Sequence, residues 1–137
     1  MPAWEHFPHD ADIGVVGTGS TKAEAFRQAA IALTAVVTDP ATVRPVTAVP
    51  VHCNAANDEL LLVEWLNTLI YEMAVRSMVF ADFHVTLTDG QLDATAWGER
   101  VAPARHEPAV EVKGATVTAL AVHPVPAGWR AQCVVDV

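Results

Sequence analysis

The sequence predicts an α+β fold, with one compact domain over residues 1–137 in which a largely antiparallel sheet packs with two helices. Periodic segments run strand, helix, strand, helix and then several strands, an order that favours helices set against antiparallel strands. Two alternating segments flank Asp89-Gly90, a preferred two-residue hairpin turn. A chain of 137 residues with 52% apolar content suits a single domain with a substantial core.

The first strand is expected from His9 to Val16. Its odd positions, His9, Ala11, Ile13 and Val15, are mostly apolar, and its even positions put Asp10 and Asp12 on the other face. Gly14, Gly17 and Gly19 break the chain before a helix. Thr21 with Glu24 reads as a capping box. Phe26, Ala29, Ala30, Leu33 and Val37 follow at helical spacing until Pro40 stops the run.

Val49, Val51, Cys53 and Ala55 alternate as a second strand. Asn57 then caps a longer helix, whose buried stripe is Leu62, Leu66, Leu69, Ile70 and Met73. Glu64, Asn67, Glu72 and Arg76 fall between those positions.

Folding the next hairpin about Asp89-Gly90 pairs Leu87 with Leu92, Val85 with Ala94 and Phe83 with Ala96. The opposite face pairs Thr88 with Gln91, Thr86 with Asp93 and His84 with Thr95. One face is apolar and the other polar, which fixes the register. A loop containing Pro and Arg then runs to Pro108. Strands from Val110 to Val122 and from Trp129 to Val137 close the domain, joined by a turn at Pro124-Val125-Pro126-Ala127-Gly128.

Charge narrows the function classes. Sixteen acids against eight Lys and Arg give a formal charge of −8. That field repels a phosphate backbone, so direct tight RNA binding is not expected, and a basic partner or a hard cation fits better. No stretch approaches the ~18 uninterrupted apolar residues of a spanning helix. The N-terminus has no basic segment followed by an apolar one, so a cytoplasmic protein is expected. Cys53 and Cys133 are too far apart in sequence for a metal knuckle or redox pair, and read as buried, inert thiols.

Few residues carry candidate chemistry. From pattern alone, Asp12 reads equally as a solvated acid or as a ligand. Asp136 shares a strand face with Gln132 and Val134 and is followed only by Val137. Such a strand end is expected to add little packing. If the two strand ends meet, Asp12, Asp136 and Val137 bring several oxygens together, a donor set that suits Ca²⁺ or Mg²⁺. His6-x-x-His9 has no partner that completes a zinc site. The glycines at 14, 17 and 19 match no phosphate-binding motif. Lys113 reads as a surface charge or as a hold for a partner's phosphate or carboxylate. Neither Ser20 nor Ser77 has a recognisable activating base.

Local strings then narrow the reading. Trp4-Glu5-His6-Phe7-Pro8-His9-Asp10-Ala11-Asp12-Ile13-Gly14-Val15 resembles the opening of archeases. Asp58-Glu59-Leu60-Leu61-Leu62-Val63-Glu64-Trp65-Leu66-Asn67 resembles that family's Leu- and Trp-bearing helix, with Tyr71 in its expected place. Phe80-Ala81-Asp82-Phe83, Trp97-Gly98-Glu99, Arg105-His106-Glu107 and Val112-Lys113 follow in family order. Gln132-Cys133-Val134-Val135-Asp136-Val137 is similar to the Q-x-V-x-D-[IV] ending.

The resemblance covers essentially the whole chain. It implies a compact α+β domain related to strand–helix–strand–strand modules. It also implies a protein that is not itself an enzyme. Such a protein activates RtcB-type RNA ligases in tRNA splicing and RNA repair, promoting their guanylylation by GTP and their repeated turnover. The family's metal-binding acids correspond to Asp12 and Asp136, with Val137 adding a backbone or terminal oxygen. Calcium is the implied ion, and Lys113 matches a lysine tied to activation. Two departures stand out, Asp10 where Thr is usual and Gly114 where Ala is commoner. The competing readings are a stand-alone metal-dependent hydrolase and a chaperone-like adaptor with no metal role.

Overall fold

The computed structural model describes residues 2–137. In chain order the elements are β1 (Ala3–His9), β2 (Asp12–Gly19), α1 (Lys22–Val37), a 3-10 turn at Pro40–Thr42, β3 (Thr47–Asn54), α2 (Asp58–Arg76), β4 (Met78–Thr88) and β5 (Gln91–Arg100). A short helix α3 (Pro103–His106) and strands β6 (Gly114–Ala115), β7 (Ala121–Val125) and β8 (Gly128–Asp136) follow. This is an α+β architecture with every strand pair antiparallel.

The strands form two sheets rather than the one expected from sequence. The larger has the order β1-β2-β8-β6, with β7 also pairing to β8; the smaller has the order β3-β5-β4. Strand patterns reveal which residues face inward but not which strands pair, so one sheet and two sheets look alike in sequence. Each long helix contacts both sheets. A single hydrophobic cluster joins them, with Phe26, Leu33, Trp65 and Phe80 essentially inaccessible. The Trp65 indole N–H donates to the Phe26 carbonyl at 3.1 Å, so α2 is fixed to α1 by a buried polar contact as well as by packing.

Both helix starts follow the sequence reading. The Thr21 hydroxyl accepts from the Glu24 N–H at 3.1 Å, and the Asn57 side chain accepts from the Leu60 N–H at 2.9 Å. The capping box is only half made, because the Glu24 carboxylate turns to the Arg27 guanidinium, 2.8 Å away. The α2 stripe includes Leu61 and Trp65 in addition to Leu62, Leu66 and Leu69, whereas Ile70 and Met73 are only partly covered. The β4–β5 hairpin has the predicted register throughout, with Gly90 at a φ of 74° in the turn.

The N-terminal strand differs from expectation. Residues His9 to Val16 do not form one strand: β1 ends at His9, Asp10 and Ala11 make a turn, and β2 starts at Asp12. Asp10 adopts a φ of 52°, a left-handed conformation that Asp tolerates better than most residues. It therefore does not share a face with Asp12. The segment from Val110 to Val122 is likewise not one strand. Only Gly114–Ala115 and Ala121–Val125 pair, and Ala119 at a φ of 53° interrupts them.

Gly17 shows how closely the layers approach. A β-carbon there would lie 2.1 Å from the Ala25 carbonyl oxygen and 2.2 Å from the Ala29 nitrogen, so β2 lies directly on the backbone of α1.

Both cysteines are buried free thiols. Burial pushes the Cys133 thiol up to about 12, against a weaker opposing effect from hydrogen bonding at Thr116. The unfolded thiol ionises near ~8.5. The buried thiol's contribution is therefore intact below that pH and is lost as pH rises toward about 12. Denaturant melts between pH 8 and 11 should show wild type losing stability more steeply than Cys133→Ala. Parallel profiles would contradict this assignment.

Candidate functional site

The antiparallel pairing of β2 with β8 places Ile13 across from Val135. The ladder ends there, and continuing its register one step puts Asp12 and Asp136 at the same sheet end and on the same face. The Val137 N–H closes the arrangement by donating to Asp12 Oδ1 at 3.4 Å. On the other flank of β8, Gly114 pairs with Asp136, and the Lys113 N–H donates to the Asp136 carbonyl at 2.8 Å. Asp12, Lys113, Asp136 and Val137 therefore converge at one end of the larger sheet, although well over a hundred residues separate the first from the last.

Lys113 and Asp136 are exposed, while Asp12 and Val137 are half-buried. Among the described residues, neither Asp12, Asp136 nor Lys113 has a side-chain ion-pair partner. Asp12 and Asp136 put two acidic residues at the same sheet end. The available donors are carboxylate and main-chain oxygens, which fits a hard divalent ion that keeps part of its water shell. Among the described residues, no three His, Cys, Asp or Glu side chains gather as a metal cage. An ion here therefore depends on backbone oxygen and water.

Two residues beyond the expected set support this end of the sheet. Asn67, half-buried beside the α2 stripe, accepts from the Ala115 N–H at 2.8 Å through Oδ1. It thereby ties α2 to the strand that carries Lys113. A mid-helix Asn between apolar positions was the available sequence signal, but only the fold supplies its partner. The Thr116 N–H and hydroxyl both donate to the Val134 carbonyl, at 3.0 and 2.8 Å. Removal of Asp136 and Val137 would free Lys113 and Gly114, while Ala115 and Thr116 would keep their bonds to Asn67 and Val134.

A second cluster fixes the segment that leads to Lys113. The Glu99 carboxylate accepts from the Arg44 N–H at 2.7 Å, from Arg105 Nη2 at 2.6 Å and from His106 Nε2 at 3.0 Å. His106 is buried, and its Nδ1 accepts from the Ala102 N–H at 2.8 Å, which places the ring proton on Nε2. The Thr38 hydroxyl donates to the His106 carbonyl. The strings Trp97-Gly98-Glu99 and Arg105-His106-Glu107 thus form one latch. The Arg44 backbone N–H, with His106 and Arg105, holds the Glu99 carboxyl below the usual Glu range.

The other sequence candidates separate. His6 Nε2 lies 2.7 Å from the Ala32 carbonyl of α1, whereas His9 Nδ1 lies 3.9 Å from Asp10 in the turn. The two histidines therefore do not converge on a zinc ion. Gly14 is covered by the Phe7 ring and Gly19 by the Glu24 side chain, so these glycines are packing positions. Ser77 caps the end of α2 at a φ of 52°.

The archease protein family (MTH1598/TM1083) matches residues 4–137. The chain belongs to the archease family. It is 36% identical to the archease of Pyrococcus furiosus over 142 residues, covering 100% of both chains. It is 37% identical to that of Thermococcus kodakarensis, covering 99% of each. The solution structure of protein 1598 from Methanobacterium thermoautotrophicum superposes with a TM-score of 0.84 at 25% identity, over 98% of this chain and 99% of that one. An archease crystal structure from Thermotoga maritima, described as a possible chaperone, shares the fold at a TM-score of 0.58 and 12% identity, over 97% of this chain and 96% of that one. No described helix of this archease-family chain is long and apolar enough to cross a membrane.

The depressed Glu99 carboxyl makes the latch sensitive to acid. Its contribution is present above the unfolded Glu value of ~4.3 and is lost as pH falls through the lower folded value. Glu99→Gln should melt below wild type at pH 7, and the gap should narrow as pH falls below the unfolded Glu value of ~4.3. A gap of constant size across that range would remove Glu99 ionisation as its cause.

Proposed function

We propose that this chain is a protein cofactor that activates an RtcB-type RNA ligase in the cytoplasm, promoting guanylylation of the ligase by GTP and repeated turnover in tRNA splicing or RNA repair. The observation that supports this reading is the convergence of Asp12, Asp136 and Lys113 at one exposed sheet end. Family membership and the motif resemblance give that site its direction. A divalent cation, calcium in this reading, is held by the Asp12 and Asp136 carboxylates and a Val137 oxygen. When bound, it supplies a concentrated positive charge at the protein surface.

The protein residues have separate tasks. Asp12 also accepts the Val137 N–H and so orients the end of β8. The Asp136 main chain sets the position of Lys113. Lys113 offers a mobile ammonium to a phosphate or carboxylate on the ligase. The formal charge of −8 makes the basic partner, rather than its RNA, the favoured contact. A stand-alone hydrolase is less well supported, because no hydroxyl or thiol at this sheet end pairs with a base among the described residues. An adaptor role without metal would leave Asp12 and Asp136 unused.

Metal binding and activation can be tested separately. Asp12→Asn and Asp136→Asn preserve side-chain size and the backbone contacts. Calorimetric titration of wild type should detect calcium with a Kd on the order of 0.1–1 mM, and each variant should weaken it at least about tenfold. Equal affinity in all three proteins would place the ion elsewhere.

Lys113→Ala keeps the main-chain bond to Asp136 and should melt within about 0.5 kcal/mol of wild type. Its stimulation of ligase guanylylation, measured with GTP and Mn²⁺, should fall at least about tenfold. Full stimulation would leave Lys113 as an ordinary surface charge.

A further inference from the structure

An apolar groove of about 230 Å³ lies between the end of α1, the last turns of α2 and residues 101–112. Val37, Ile70, Met73, Val101, Pro108 and Val110 line it, with Ala74 and Glu111 at its edge. Of its lining, Val110 is 38% exposed. Backbone bonds brace its walls: the Ala109 N–H donates to the Val37 carbonyl and the Val101 N–H to the Ser77 carbonyl, each at 2.8 Å. The Glu99–His106 latch holds the intervening turn. The groove is therefore preformed, which limits the ordering cost of filling it.

We propose that this groove receives a large apolar side chain of the partner ligase, adjacent in that ligase to a Lys or Arg. The inference rests on the proposed activator role and names a second point of contact for it. Val112 lines the groove and Lys113 follows it directly, so the groove and the acidic sheet end form one continuous surface. A stable protein interface covers roughly 800 Å² on each side, and its energy concentrates in buried apolar anchors rather than in exposed charges. The sheet end supplies charges without an anchor, and the groove supplies the anchor position. Its volume suits one or two side chains and is below the ~300 Å³ at which small-molecule sites begin.

Charge selects the flanking residue. Glu107 and Glu111 are exposed beside the groove, and neither has an ion-pair partner among the described residues. A basic residue beside the inserted side chain would meet both. Rim charges of this kind govern association rate and salt dependence more than residence time.

The test measures binding of the full chain to an RtcB-type ligase from the same genome, with calcium titration on the same preparations. Ala74→Arg places a long cation at the groove mouth on an exposed helix position. It should weaken ligase binding at least about tenfold while calcium affinity and Tm stay at wild-type values, and Ala74→Ser should bind as wild type. The Glu107→Gln/Glu111→Gln double variant should bind about threefold more slowly at low salt, with a flatter salt dependence. If wild type binds the ligase and Ala74→Arg binds within twofold of it, the groove proposal is overturned while the activator role stands. If wild type neither binds nor stimulates the ligase, the activator role fails and the groove proposal fails with it.

Discussion

The pairing of β2 with β8 is the constraint on which the site depends. It brings the acidic first residue of β2 and the acidic last residue of β8 together, and it sets their register through Ile13 opposite Val135. A slip of one residue would turn Asp12 toward the core and expose Val15, which is fully inaccessible. Burial of Val15, Cys133 and Val135 therefore enforces the geometry of the half-buried Asp12 and the exposed Asp136. This end of the sheet inherits its order from the core.

Helices enforce that register from the other side. The backbone of α1 lies against Gly17, so β2 cannot shift without displacing the helix. Helix α2 is tied to α1 through Trp65 and Phe26, and it reaches the β6 edge through Asn67 and Ala115. A chain of buried and half-buried contacts thus links the interior to Lys113. The Glu99–His106 latch continues this path along residues 101–112, a segment with little regular structure of its own. Segments without ladder hydrogen bonds need side-chain anchors to hold one conformation, and this latch supplies them.

Much of the local structure was legible in the residues. The capping signals at Thr21 and Asn57 act within one turn of chain, and the Asp89-Gly90 hairpin is decided by neighbouring residues. The turn at Asp10 was missed because His9 to Val16 alternates acceptably as a single strand. Only pairing with β1 shows that the chain reverses there. Val110 to Val122 failed similarly: its β-branched residues suit a strand, but only Gly114–Ala115 and Ala121–Val122 within it find strand partners on β8.

The sequence by itself determined the helices, the hairpin register, the inward faces, the acidic charge and the family strings that single out Asp12, Lys113, Asp136 and Val137. These follow from short-range periodicity, capping and composition, which each segment carries regardless of its neighbours. Tertiary structure alone decided that there are two sheets, that Asp12 and Asp136 reach the same sheet end, and that Asn67, Glu99 and His106 serve as supports. Those outcomes depend on which strand edges meet, and identical backbone groups make every edge chemically equivalent. The choice among edges is made by packing the whole core at once, with contacts as remote in sequence as Asp12 and Val137.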